Sequence, residues 1–109
     1  MTSHPTEVWY MKSWFFKAGI LGHAYLAAEG MLPDPDDLSK THAKICSMTE
    51  HNPENVFAAM QGEVWNKDGH ANDNLARHGV RHSSMSIGDV IVINGKTYMV
   101  DMVGFTELN

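Results

Sequence analysis

The residues of this 109-residue chain whose types could do chemistry are seven histidines, one cysteine, and the run His82-Ser83-Ser84-Met85-Ser86-Ile87-Gly88-Asp89. Neutral imidazole is a common ligand for zinc and other transition metals, but the spacing argues against a metal. His78 and His82 are four apart, yet Gly79 and Val80 interrupt the helix that would bring them together, and no glutamate follows His78 as a zinc protease motif requires. The histidines read as exposed loop residues, and no metal or other cofactor is expected. Cys46 with His42 would make a thiolate and its base, but along one strand their α-carbons stand roughly 13 Å apart, so they cannot pair directly. A lone cysteine on a strand reads as a small buried hydrophobe.

The 82–89 run concentrates hydroxyls, an imidazole and a carboxylate. Ser84 as a nucleophile would need a base within hydrogen-bond reach and an oxyanion hole, and no glycine-flanked Gly-x-Ser-x-Gly elbow occurs. Turn chemistry is the simpler expectation, with serine hydroxyls and Asp89 satisfying nearby amides as the chain enters a sheet. No catalytic residue is assigned, and His82, Ser84 and Asp89 stand as candidate binding residues. Asp34, Asp36 and Asp37 form a local negative patch that could meet a basic groove on another protein. Trp9, Trp14, Trp65, the Phe15-Phe16 pair and eight methionines offer large contact areas, most of them expected in the core. No glycine cluster has the spacing of a phosphate-cradling loop.

Elements that position these residues must fit in a single domain, because a chain of this size supports one core. Hydrophobic content of 43% and charged content of 19% are globular values. Eight Lys plus Arg against thirteen Asp plus Glu give a net charge of -5, which works against binding to phosphate backbones, so direct nucleic-acid binding is not expected. A single cysteine gives no internal disulfide, which points to a reducing cytoplasm. Glu7, Lys12 and Lys17 interrupt the first twenty residues, so neither an export signal nor a membrane anchor is expected.

Along the chain, residues 1–6 read as a flexible polar tail and 7–12 as a strand. Ser13 caps a turn from Trp14 that stops at Gly19, and 20–29 reads as a helix closed by Gly30. Residues 31–39 form an acidic loop around Pro33 and Pro35. Residues 41–48 read as a strand with Ala43 and Ile45 on one side and His42, Lys44, Cys46 and Met48 on the other. Asn52-Pro53-Glu54 starts a helix over 53–65 whose inner face is Val56, Phe57, Met60 and Val64. A loop over 66–73 precedes a short helix over 74–78 stopped by Gly79. In 89–100, Asn94-Gly95 supplies the two positive-φ residues of a tight hairpin, which sets Ile93 opposite Lys96, Val92 opposite Thr97, Ile91 opposite Tyr98 and Val90 opposite Met99. Both hairpin faces are then apolar and need cover, or a strongly curved sheet. The expected fold is α+β, a small curved antiparallel sheet with a C-terminal hairpin packed against two or three short helices.

The segment from His82 to Phe105 resembles the ending of YodL-like domains, which share His-x-Ser-Met-Ser-x-Gly-Asp followed by a hairpin and a closing Gly-Phe. The stretch Asn55-Val-Phe-Ala-Ala-Met-Gln-Gly-Glu-Val-Trp65 is similar to the helix that precedes it in plasmid and phage proteins of this type. The resemblance implies a small accessory protein of a mobile genetic element, working in a bacterial host, and implies no reaction and no catalytic set. His82, Ser84 and Asp89 match its motif, as do Gly88, Gly104 and Phe105, which have ready explanations in turns and packing.

The leading functional expectation is non-catalytic binding to a host or phage protein, with aromatic and methionine side chains supplying contact area and the acidic loop and 82–89 segment orienting the partner. Counteracting a host defence system is one form of it. A small enzyme using His82 with Ser84 or Asp89 is the alternative, and self-association into a homodimer through an exposed strand edge is the third reading.

Overall fold

The computed structural model describes residues 4–108. Five strands, β1 (Thr6–Met11), β2 (His42–Met48), β3 (Val90–Ile93), β4 (Lys96–Val100) and β5 (Phe105–Glu107), form one antiparallel sheet in the order β2-β1-β3-β4-β5. Around it lie α1 (Ser13–Gly19), α2 (His23–Ala28), α3 (Pro53–Ala59), α4 (Gly62–Trp65), α5 (Asn72–Arg77) and a single 3-10 turn at Leu38–Lys40. The α+β expectation holds. The sheet is open, with β2 and β5 at its edges, and the described helices number five where two or three were expected.

The hairpin has the register that its turn residues dictate. Asn94 (φ 49°) and Gly95 (φ 80°) both take positive φ, and the four expected cross-strand pairs form. Its two apolar faces are covered from both sides. On one face Val8, Tyr10, Ala43, Ile91 and Val100 pack with Val56, Met60, Leu75, Val80 and Met85. On the other, Met11, Val90 and Met99 pack with Phe15, Leu26 and Leu38. Each fully buried side chain of this kind contributes roughly 1.5–3 kcal/mol, so helices on both faces hold the sheet between them.

Four local expectations are corrected. Thr6 belongs to β1, fully buried, with its hydroxyl donating to the Glu50 carbonyl, so the described part of the 1–6 tail does not end where polarity does; residues 1–3 lie outside the described residues. Ser13 does not cap α1: the cap position is Lys12, whose side chain makes no capping bond, and the Ser13 amide donates to the Gly79 carbonyl at 2.7 Å. The second helix starts at His23, three residues later than expected, because Gly22 takes φ 92° at the cap. In β2, a bulge opposite Val8 and Trp9 inserts Ile45, so Val8 pairs with Cys46 and Trp9 with Lys44. Ala43 and Ile45 do pack on one core cluster as expected, but Cys46 and Met48 join them there instead of lying with His42 and Lys44.

The predicted 53–65 helix is cut in two. Asn52 caps α3 as expected, its side chain accepting from the Glu54 amide at 3.0 Å. At the far end the Met60 carbonyl accepts from the Met85 amide and from the Tyr10 hydroxyl, both at 3.0 Å, and the Gly62 amide donates to Ser84 Oγ at 2.8 Å. These bonds replace the continuing helical ladder. The restart rotates the chain, so Val64 points to solvent and Trp65 sets its ring edge-on to Tyr10 at 6.2 Å.

Candidate functional site

Asp89 sits at the entrance to β3, fully buried, and ties three parts of the chain together. Its Oδ1 accepts from the Met11 amide at 2.7 Å and its Oδ2 from the Ser86 amide at 2.8 Å. His82 Nε2 lies 2.8 Å from Oδ2 and 3.0 Å from Oδ1. Both oxygens accept from amides, and with Asp89 ionised it is the His82 Nε2–H that donates to them. Burial pushes the Asp89 carboxyl above its ordinary range, while His82 and the two amides pull the other way. The His82 ring stacks on Tyr10 at 4.8 Å and 14°, and the Phe16 ring meets it at 4.8 Å and 54°. Nδ1 is the one polar atom of His82's side chain left without a partner, and since every buried side-chain nitrogen or oxygen among the described residues is bonded, it reaches solvent.

The surroundings of this pair are held by bonds to backbone carbonyls. The Tyr10 hydroxyl also lies 2.7 Å from the Ser83 carbonyl, which accepts from Trp65 Nε1 at 2.7 Å, and burial raises the Tyr10 phenol. His42, expected to be an exposed histidine, is fully buried. Its Nε2 donates to the Gly88 carbonyl at 2.8 Å while Nδ1 accepts from the Thr41 hydroxyl at 2.6 Å. Burial lowers His42 to about 4 against the opposing pull of the Gly88 carbonyl, so the ring is neutral at pH 7. Cys46 is half-buried, 3.8 Å from the Met60 sulfur, with its thiol pushed up by burial. The bulge puts it on the sheet face opposite His42.

Of the candidate residues, His82 and Asp89 are brought together and Ser84 is not. The Ser84 hydroxyl faces α4, where it accepts from Gly62. Asp34, Asp36 and Asp37 lie apart from all three. Asp34 Oδ1 accepts from the Asp36 amide and Asp37 Oδ1 from the Ser39 hydroxyl, which is turn chemistry. Asp36 and Asp37 line a cleft of about 360 Å³ with Glu7 and Trp9, on the sheet face opposite Tyr10 and His82. Among the described residues no three His, Cys, Asp or Glu side chains gather into a metal-ligand cluster, and no helix is long and apolar enough to cross a membrane.

Two open clefts flank His82. One, of about 400 Å³, runs along α5 and is lined by Leu75, Val80, Arg81, His82 and Ser83 among others. The other, of about 300 Å³, lies between α1 and the 81–82 segment, lined by Ser13, Phe16, Lys17, Arg81 and His82. A separate feature is the turn from Asp101 to Gly104. Asp101 Oδ1 accepts from the Met102 amide at 2.8 Å and the His23 amide at 3.1 Å, Oδ2 accepts from the Thr106 hydroxyl at 2.6 Å, and the Asp101 amide donates to the Gly104 carbonyl at 3.0 Å. Partial burial opposes the charge, but the Thr106 hydroxyl and the two amides outweigh it and hold the Asp101 carboxyl below its ordinary range. The turn thus fixed presents Met102 at 64% and Val103 at 92% exposure, with the exposed Ile20 and Leu21 on the adjoining α1–α2 connection.

No protein-family model, curated protein or solved structure matches the chain. Several residues that shape these sites escape a reading by motif. Tyr10 looks like any apolar strand position, and its role follows only from its partners at 60, 82 and 83. The Met102–Val103 tip does carry a local signal, since Asp at the first and Gly at the fourth position of a turn is a type I signature.

Proposed function

We propose that this chain is a non-catalytic, protein-binding accessory protein of a mobile genetic element, phage or plasmid, that acts by gripping a host protein, counteracting a host defence system being the specific form. The observation that carries the binding is the apolar tip at Met102 and Val103, exposed on a turn that Asp101 has already ordered. A pre-ordered turn loses little backbone freedom on association, and that favours apolar side chains carried on it as a hot spot. The mobile-element part rests on the resemblance of residues 55–65 and 82–105 to YodL-like proteins, and the tip falls inside the second of these segments.

The test is affinity capture from bacterial host cells at native expression, comparing the natural chain with a Met102→Asp, Val103→Asp double variant. These side chains contribute little to the core, so stability should change by no more than about 0.5 kcal/mol per site. A specific partner recovered by the natural chain should be lost from the variant. An identical set of captured proteins from both would defeat the reading.

A small enzyme is the second reading, and the geometry that favours it is the Asp89-bound imidazole with Nδ1 open to solvent, the arrangement of a positioned general base. It lacks an attacking side chain: Ser84 is turned to Gly62, and the Ser13 hydroxyl in the neighbouring cleft makes no bond to His82. Turnover of an ester or phosphoester that disappears in His82→Ala, with partner capture unchanged, would favour this reading over binding.

A further inference from the structure

We infer that the cleft between α1 and residues 81–82 receives an acidic peptide segment of the partner, with a carboxylate between Lys17 and Arg81 and an apolar side chain against Phe16 and the His82 ring. The inference rests on the protein-binding reading and adds to it a second contact with defined chemistry. Lys17 and Arg81 are both exposed, both line the cleft, and neither side chain makes a hydrogen bond or ion pair among the described residues. No carboxylate lines it, although the chain carries a net charge of -5 and its other clefts include one bordered by Glu7, Asp36 and Asp37. Two unpaired cations with no acid beside them select a negatively charged group.

The apolar half of the ligand follows from the walls. Phe16 meets His82 at 4.8 Å, and Asp89 fixes the imidazole behind it, so the two rings form a rigid flank. A volume of about 300 Å³ is at the small end of ligand sites and suits one or two side chains. A peptide is favoured over a free small molecule because the surface continues along α1. Trp14, 65% exposed, is three residues from Lys17 and so a neighbour of it on the helix surface. A chain crossing the cleft would meet this indole next.

The test uses the whole chain, labelled with nitrogen-15, and three probes: acetyl-Glu-Phe-Glu-amide, acetyl-Lys-Phe-Lys-amide and inorganic phosphate. The acidic peptide should give saturable amide shifts confined to residues 13–17 and 81–82, weakening with added salt. A Lys17→Gln, Arg81→Gln double variant, checked for unchanged thermal unfolding, should bind it roughly fivefold or more weakly. No saturable shift, equal binding of the basic peptide, or an undiminished response in the variant would each overturn the inference. Phosphate that competes as well as the acidic peptide would overturn it too, by making the cleft a simple anion site. Capture of a host protein that is lost in Met102→Asp, Val103→Asp but untouched in Lys17→Gln, Arg81→Gln would sink the cleft alone. Capture insensitive to the tip, with the peptide still bound, would sink the tip alone.

Discussion

Asp89 and Ser84 stand five positions apart in one motif and do different work. Replacing Asp89 with Ala leaves the Met11 and Ser86 amides and His82 Nε2 without an acceptor in a buried place, so a loss of about 3–5 kcal/mol is expected. Ser84→Ala removes only the hydroxyl that receives the Gly62 amide at the start of α4, a capping loss of about 1 kcal/mol. Urea denaturation of the two variants checks this. Comparable costs would mean that Asp89 is not the tie described here. The motif drew attention to the right neighbourhood, and turn chemistry accounts for the Ser86 amide on Asp89, whereas the Ser84 hydroxyl serves Gly62, 22 residues away. It could not show that the carboxylate's shortest bond goes to Met11, 78 residues away. Nor does a residue type tell which histidine is buried, as His42 is against Gly88.

Elements defined by their own residues were legible and those defined by distant partners were not. Asn94 and Gly95 set the hairpin register locally, and Asn52-Pro53-Glu54 starts α3. The break after α3 depends on Met85, Tyr10 and Ser84, and the Ile45 bulge on the pairing with β1, so neither leaves a trace in local spacing. Gly88 offers a test at this scale. It takes φ 97°, and a β-carbon there would come within 2.8 Å of the Gly19 backbone and 2.5 Å of the Met11 sulfur. Gly95 takes φ 80° with nothing within 4 Å. Gly95→Ala should therefore cost about 1–2 kcal/mol for conformation alone, and Gly88→Ala distinctly more, since the α1 end must move away from the sheet. Equal shifts in midpoint of denaturation would show that the approach of α1 to Gly88 is loose.

For the molecule as a whole, His42 links stability to acidity. Its folded value of about 4 lies below the ordinary 6.5, so between these values the unfolded chain binds a proton that the native state does not. Stability is then intact above pH 6.5 and falls as pH drops toward 4, by roughly 3 kcal/mol in all. Asp89 acts in the other sense: its raised carboxyl contributes stability present at low pH that is lost as pH rises above 3.8 toward its folded value. His42→Gln keeps an N–H for the Gly88 carbonyl and removes the titration, so its stability should depend less steeply on pH between 4 and 6.5 than that of the natural chain. A slope unchanged in denaturation series across that range would put the acid sensitivity elsewhere. The strand order bears on how the protein comes into being. β1 lies between β2 and β3, and the amide of Met11 finds its carboxylate 78 residues later. From the end of β2 to the end of β3 the chain grows by about 45 residues, so at a translation pace of about 5–20 residues per second it spends roughly 2–9 s with the inner strand β1 paired on one side only, an interval in which a chaperone, or the matching edge of a sister chain, has first access to it.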